Sequence, residues 1–253
     1  MYPRGNILGV GVSAIRMQEV VETIASWIDE RKRHYVCVTP AHGVMEAQRN
    51  PELRHIFNQS GLTTPDGMGI VWLLRFLGHY QVERVYGPDL MLALCERSEL
   101  CGWRHYLYGG VPGVAEILAE KLQLRFPGLQ IVGTCSPPFG TLAAEEERAI
   151  ADKINDLQPH IIWVGISTPK QEFWMAKNAD RLNAYALIGV GAAFDFLSGV
   201  KRQAPRWIQH SGFEWLFRLA NEPRRLWRRY LQYPRFLLLV GSQLAGLRHF
   251  PLD

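Results

Sequence analysis

His105-Tyr106-Leu107-Tyr108-Gly109-Gly110-Val111-Pro112-Gly113 reads as a strand that breaks into a glycine turn, and a helical stretch follows to Phe126. A short run rich in aromatic and aliphatic side chains, bounded by Gly and Pro, is the pattern of a buried strand. The same unit then recurs. Gln130 to Cys135 ends in Ser136-Pro137-Pro138-Phe139-Gly140 before a helix from Ala143 to Leu157. Ile161-Ile162-Trp163-Val164 ends in Gly165-Ile166-Ser167-Thr168-Pro169-Lys170-Gln171-Glu172, and Ala186 to Val190 in Gly191-Ala192-Ala193-Phe194-Asp195. Strands alternating with helices at this spacing predict a parallel, doubly wound α/β sheet. Their glycine turns would form a rim of backbone N–H groups at helix N-termini, suited to a phosphate-bearing ligand. Gly109 and Gly110 are candidate ligand contacts on that rim. Asp195 either contacts a nucleotide or caps the turn at Ser198-Gly199.

The first hundred residues carry the same signals less regularly. Met17 to Arg31 has helical periodicity, Tyr35 to Thr39 is strand-like, and Pro51 opens a helix towards Gln59. Gly9-Val10-Gly11-Val12-Ser13-Ala14 matches GxGxxA, but its glycines fall inside a strand rather than after one, which weakens a dinucleotide reading. Thr63-Thr64-Pro65-Asp66-Gly67-Met68-Gly69 places a single carboxylate on a sharp strand-to-helix turn, with Pro65 fixing φ and Gly67 permitting unusual φ. Open α/β sheets bind ligands at that edge. Local sequence leaves Asp66 as either a ligand-facing group or a helix N-cap. Thr39 stands at an equivalent strand end.

The net charge of +4 over 253 residues is unevenly distributed. Ten Lys/Arg against three acids after residue 199 make the tail +7, leaving the preceding 199 residues at −3. A basic tail on a mildly acidic body suits an anionic partner. Its interleaved Trp207, Phe213, Trp215, Phe217, Trp227, Tyr230, Tyr233 and Phe236 fit an interfacial membrane helix or a nucleic-acid surface. No run approaches the ~18 apolar residues of a spanning helix. The N-terminus lacks the apolar stretch of a signal peptide. Cys37, Cys95, Cys101 and Cys135 show no CxxC spacing; Cys37 and Cys135 read as buried strand thiols, and the setting as reducing and cytoplasmic.

P-loop, HExxH and GxSxG motifs are absent, as is a DxD pair that would hold a divalent ion against a diphosphate. Transfer from a phosphate-bearing donor would then rely on Arg, Lys and backbone dipoles, with neither metal nor cofactor.

Several blocks together carry a resemblance. Thr39-Pro40, Thr64-Pro65-Asp66-Gly67, Arg84-Val85-Tyr86-Gly87-Pro88-Asp89-Leu90, Gly165 through Glu172 and Gly191 through Asp195 occur in order. Ala204-Pro205-Arg206, Glu214 through Leu219 and Glu222-Pro223-Arg224-Arg225 follow. From about Ile7 to Tyr230 the chain resembles the WecG/TagA/CpsF glycosyltransferases. The resemblance implies inverting, metal-independent transfer from a UDP-sugar to a polyprenyl-pyrophosphate-linked saccharide, in pathways making teichoic acid linkage units, enterobacterial common antigen or exopolysaccharides. It further implies Asp66 as general base with Thr39 beside it, Arg84 and Gln171 in the pocket, and Arg218, Arg225 and Arg228 on a basic, membrane-associating appendage. Where many members read Thr-Pro-Asn, this chain has Thr39-Pro40-Ala41: either the missing amide alters the sugar contacts or His42 substitutes for it, and in both cases the resemblance does not fix the donor sugar.

The expected architecture is an N-terminal α/β lobe over 1–100, a Rossmann-like nucleotide-sugar lobe over 101–199 and a helical appendage over 200–253. The enzyme would work peripherally on the inner face of the plasma membrane, without nucleic acid; a homo-oligomer is left open. The rival readings are an NAD-dependent oxidoreductase using Gly9 and Gly11, and a non-enzymatic RNA-binding protein using the basic tail.

Overall fold

A computed structural model describes residues 2–138, 140 and 143–252. The strand-ending turns expected from the sequence are present, apart from Phe139 in the turn after Cys135, which lies outside the described residues. Six strands form one sheet in the order β4-β3-β8-β7-β5-β6: β3 (His34–Thr39), β4 (Leu62–Pro65), β5 (Arg104–Gly109), β6 (Gln130–Cys135), β7 (Ile161–Gly165) and β8 (Ala186–Gly189). The pairs β3–β8, β8–β7, β7–β5 and β5–β6 are parallel, which is the α/β architecture expected from the βα repeats. Burial of both sheet faces explains why Ile161 to Val164 and Ala186 to Ile188 are unbroken apolar runs.

Two compact units share the chain: residues 1–17, 38–86 and 203–253 in the first, 18–37 and 87–202 in the second. In the second unit, helices α1 (Met17–Asp29), α5 (Gly87–Cys101), α6 (Val114–Arg125), α7 (Ala144–Asp156), α8 (Lys170–Asn178) and α9 (Ala193–Leu197) alternate with the strands. The strand order reverses between β5 and β7, and here the glycines do structural work. A Cβ on Gly109 would lie 2.6 Å from the Gly165 carbonyl, and one on Gly165 would lie 2.5 Å from the Phe194 ring. Gly110 donates its N–H to Gly165 O at 3.1 Å. These turns let β5, β7 and Phe194 approach one another, so packing alone requires them. Cys135 is half-buried on the edge strand β6, not fully buried as its strand context suggested, whereas Cys37 in β3 is buried.

A polar chain crosses this core. Trp163 Nε1 donates to His105 Nδ1 at 2.8 Å, so the His105 proton sits on Nε2, 2.7 Å from Ser98 Oγ, which donates onward to Leu94 O. Burial pushes His105 down to about 3. An unfolded histidine titrates near 6.5, so below that pH the unfolded chain binds a proton that the native site refuses. Stability is therefore retained above about pH 6.5 and falls as pH drops towards 3, by on the order of 1 kcal/mol per pH unit for this group. Melting curves between pH 7.5 and 5 check this. His105→Gln, whose amide can still accept from Trp163 and donate to Ser98, should melt lower at pH 7.5 yet show a shallower acid slope.

In the first unit, β1 (Arg4–Ile7) and β2 (Val10–Ser13) pair antiparallel. Leu8 (φ 53°) and Gly9 (φ 80°) form the two-residue connection, whose positive φ values match a tight hairpin turn. Asn58 clamps this hairpin, accepting from Gly11 N and donating to Gly9 O. Gly9 and Gly11 thus belong to a hairpin, not to a βα phosphate turn, which removes the feature supporting a dinucleotide site. The unit also holds α2 (Ala41–Ala47), α3 (Pro51–Gln59) and α4 (Met68–Phe76). Asn50 caps α3 through a bond from Leu53 N.

The C-terminal helices are α10 (Arg206–His210), α11 (Glu214–Asn221), α12 (Pro223–Tyr230) and α13 (Tyr233–Leu244). Leu226, Tyr230, Phe236 and Val240 are buried, and Gln243 bonds to Leu8 N and Asn6 O on the hairpin. This segment is part of the first unit's core. Among the described residues no helix is long and apolar enough to cross a membrane.

Candidate active site

Asp66 follows β4 directly. Its backbone N–H donates to Thr39 O at 3.2 Å, joining the two strand ends that the sequence marked. The N-cap of α4 is Gly67, whose carbonyl accepts from Ile70 and Val71. Asp66 therefore sits one residue outside the helix, and the capping role open to it in the sequence belongs to its neighbour.

Arg84 is the hub beside it. Its Nη2 lies 3.7 Å from Asp66 Oδ1 and 2.5 Å from Glu214 Oε2, in side chains only 9 %, 19 % and 13 % exposed. Nε donates to the Asp66 carbonyl, and Nη1 to Gln209 O at 3.2 Å. The guanidinium lies over the Tyr86 ring, 4.1 Å from its centroid. Every face of the Arg84 fork is thus used by main chain, carboxylate or ring, so its position is set by geometry rather than by charge alone. Burial opposes its charge, but the Asp66 and Glu214 carboxylates outweigh that and hold Arg84 above its usual value. Tyr86 is pushed upward, first by burial and then by Glu214 and Asp66, so its hydroxyl stays protonated.

Arg218 on α11 extends this group. Burial again opposes its charge, and Tyr230, Glu214 and Asp66 more than compensate. Arg225 and Arg228 lie on α12, behind the Pro223 break, and do not share a helix face with Arg218. They line a cleft of about 470 Å³ with His42, Glu46, Arg49, Arg229, Gln232 and Arg235. Arg225 also pairs with Glu222 at 2.6 Å. The cleft is strongly positive. His42 is pushed down to about 3, mainly by burial and then by Arg229, Arg49 and Arg218. Arg229 is held below its usual value by burial and by repulsion from Arg218. Arg218 is thus within electrostatic reach of both Asp66 and the cleft.

The remaining sequence candidates belong to the second unit. Gln171 and Glu172 open α8 and are buried; Glu172 Oε1 accepts from Gln171 Nε2 at 3.0 Å and from Thr168 Oγ1 at 2.9 Å. Gln171 Oε1 is buried, within van der Waals range of a side chain added at Gly191. Asp195 pairs with Lys201 at 2.6 Å, and it is its carbonyl, not its carboxylate, that accepts from Ser198 Oγ. The side-chain cap of that turn is therefore not formed. Among the described residues no group of three His, Cys, Asp or Glu is placed to hold a metal ion.

Thr39, Asp66, Arg84 and Arg218 are brought together, with Arg225 and Arg228 in the adjoining cleft. Sequence reading missed Tyr86, Gln209, Glu214 and Arg229 as members of this assembly. Tyr86 and Glu214 stand in motifs that were already conspicuous; Gln209 acts through its carbonyl, which no side-chain pattern reports.

The family model for the glycosyl transferase WecG/TagA/CpsF family matches residues 5–249. A protein of Bacillus spizizenii named N-acetylglucosaminyldiphosphoundecaprenol N-acetyl-beta-D-mannosaminyltransferase is 27 % identical over 85 % of this chain and 81 % of its own length. A Bacillus subtilis protein of the same name is 26 % identical over 91 % of each. With a match that spans nearly its whole length, the chain belongs to the WecG/TagA/CpsF family of glycosyl transferases.

Proposed function

We propose that this glycosyl transferase moves a sugar from a UDP-sugar to a polyprenyl-diphosphate-linked saccharide, with inversion and without a metal, in cell-surface polysaccharide synthesis. The observation that carries this reading is the Asp66 carboxylate held against Arg84 in the same unit as an arginine-lined cleft. The names of the Bacillus relatives, which specify a diphosphoundecaprenol acceptor, support the acceptor class.

Asp66 takes the proton from the acceptor hydroxyl as that oxygen bonds to the anomeric carbon. The bond from that carbon to the leaving phosphate oxygen breaks, and its electron pair departs with UDP. A single base suffices for such a displacement. Thr39 positions the Asp66 backbone. Arg84 orients the carboxylate region, and the Gly109-Gly110 turn, Gln171 and Asp195 are assigned to the nucleotide-sugar. Arg218, Arg225 and Arg228 take the acceptor diphosphate, where planar guanidinium groups bind in pairs of hydrogen bonds. An anion in the cleft would relieve the repulsion between Arg218 and Arg229. Trp207, Phe213, Trp227, Leu237 and Leu238 are exposed on the same arginine-bearing segment, which supports peripheral binding at an anionic membrane face.

Because the tail is part of the unit's core, deleting it would unfold the site; substitutions test the assignment more cleanly. In a transfer assay with a UDP-sugar panel and a prenyl-diphosphate acceptor in anionic liposomes, Arg225→Gln/Arg228→Gln should raise KM for the acceptor at least tenfold, since each charge-assisted bond contributes about 1.5–3 kcal/mol. KM for the donor should change less than about twofold, and sedimentation with the liposomes should weaken as charge is lost. An unchanged acceptor KM removes these arginines from the acceptor site; no consumption of any UDP-sugar by the unaltered chain overturns the donor class.

A further inference from the structure

The second unit contains another basic cleft, at the opposite end of its strands from the Gly109-Gly110 and Gly191 turns. It has a volume of about 450 Å³ and is lined by Arg31, Arg33, Arg104, Gln158, His160 and Tyr185, with Pro159 and Asn183 completing it. The strands β3, β5, β7 and β8 begin here, at His34, Arg104, Ile161 and Ala186. The mechanism proposed above uses none of these residues.

Three features make this more than a group of surface arginines. None of the lining residues is acidic, in contrast to the first cleft, which contains Glu46. The guanidiniums that are hydrogen-bonded here are held by neutral oxygens: Arg33 by Asn183 Oδ1 at 2.9 Å and Asp180 O at 3.4 Å, Arg104 by Gln158 Oε1 at 3.3 Å. These bonds orient the positive groups without neutralising them, which favours an external anion.

The floor is also built from main chain. His160 N donates to Arg104 O, while Arg104 N donates to His160 Nδ1 at 2.9 Å. Tyr185 N donates to His160 O, and His34 N to Tyr185 O. The bond at Nδ1 leaves the neutral His160 ring with its proton on Nε2, as a further donor. The His160 and Tyr185 rings lie 5.9 Å apart at a tilt of 35°, adding an aromatic wall to the guanidiniums. Fixed strand ends thus present oriented donors and net positive charge in a cavity of small-molecule size.

We propose that this cleft binds a small anion bearing a diphosphate group, at a site separate from the Arg225/Arg228 cleft. Free pyrophosphate and a nucleoside diphosphate share the required chemistry. The test is calorimetric titration of the full chain with inorganic pyrophosphate and, in parallel, with UDP, at low ionic strength.

Three proteins are compared: the unaltered chain, Arg33→Gln/Arg104→Gln, and Arg225→Gln/Arg228→Gln. The second-cleft variant should lose one pyrophosphate-binding event or weaken it at least tenfold. That event should survive in the first-cleft variant. Only a UDP event that is lost in Arg33→Gln/Arg104→Gln and survives in Arg225→Gln/Arg228→Gln reports on this cleft; if that event is tighter than the pyrophosphate event, a nucleotide is the source, and if it is equal or missing, a free diphosphate. Pyrophosphate titrations of Arg33→Gln/Arg104→Gln that superimpose on those of the unaltered chain would overturn the proposal, as would loss of all binding in Arg225→Gln/Arg228→Gln. Circular dichroism and melting of both variants confirm that the fold persists. Sugar transfer is not read in this experiment, so its outcome is independent of the transferase assignment.

Discussion

Asp66→Asn is expected to retain the fold and lose transfer by a factor of about 10²–10⁴, the usual contribution of a positioned general base. The substitution keeps the size and one oxygen of the side chain but removes its ability to take a proton. The backbone bond from residue 66 N to Thr39 O does not depend on the side chain, and α4 begins from Gly67. Arg84 keeps Glu214, the Gln209 carbonyl and the Tyr86 ring. Binding of donor and acceptor should therefore change little while kcat collapses. Steady-state kinetics with both substrates, beside circular dichroism, distinguish the cases. A folded Asn variant with near-normal kcat would remove Asp66 from the role of base.

Arg84→Gln should be damaging in a different way. It leaves the Asp66 and Glu214 carboxylates facing each other without the cation between them, in side chains 19 % and 13 % exposed. Removing one partner of such a buried group costs about 3 kcal/mol or more. For a chain of this size that corresponds to a fall in Tm of roughly 6–12 °C. Transfer should fall with it, because the guanidinium and its bond to the Asp66 carbonyl hold the turn that carries the proposed base. Glu214→Gln alone should be milder, since Arg84 would keep Asp66.

The double variant Arg84→Gln/Glu214→Gln should be more stable than the sum of the single losses predicts, because it also removes a stranded charge. Thermal melts of the four proteins make a double-mutant cycle. A coupling below about 0.5 kcal/mol would show that the pair does not hold α11 in place. Arg84→Lys should not rescue, as an ammonium cannot reproduce the fork that reaches Asp66, Glu214 and Gln209 together.

The α/β class was legible because periodicity is local. Ile161 to Val164 and Ala186 to Ile188 are apolar on both faces, as only a strand covered on both sides can be, and each is followed by a turn and a helix. The break at Pro223 was equally local and placed Arg225 on a different helix from Arg218. The acidic turn at Asp66 was conspicuous for the same reason, being a carboxylate between Pro65 and Gly67.

What the residues Thr64 to Gly67 could not decide was whether Asp66 occupies the helix cap; the chain folds with Gly67 in that position. Nor does any local pattern show that Glu214, 130 positions away, meets Arg84, or that Gly9 and Gly11 turn a hairpin clamped by Asn58. By itself the sequence determined the order and type of elements and the residue types available for chemistry, since these depend on neighbours along the chain. Only the tertiary structure decided which charges share one buried space, because the energy of a charge depends on what surrounds it in three dimensions.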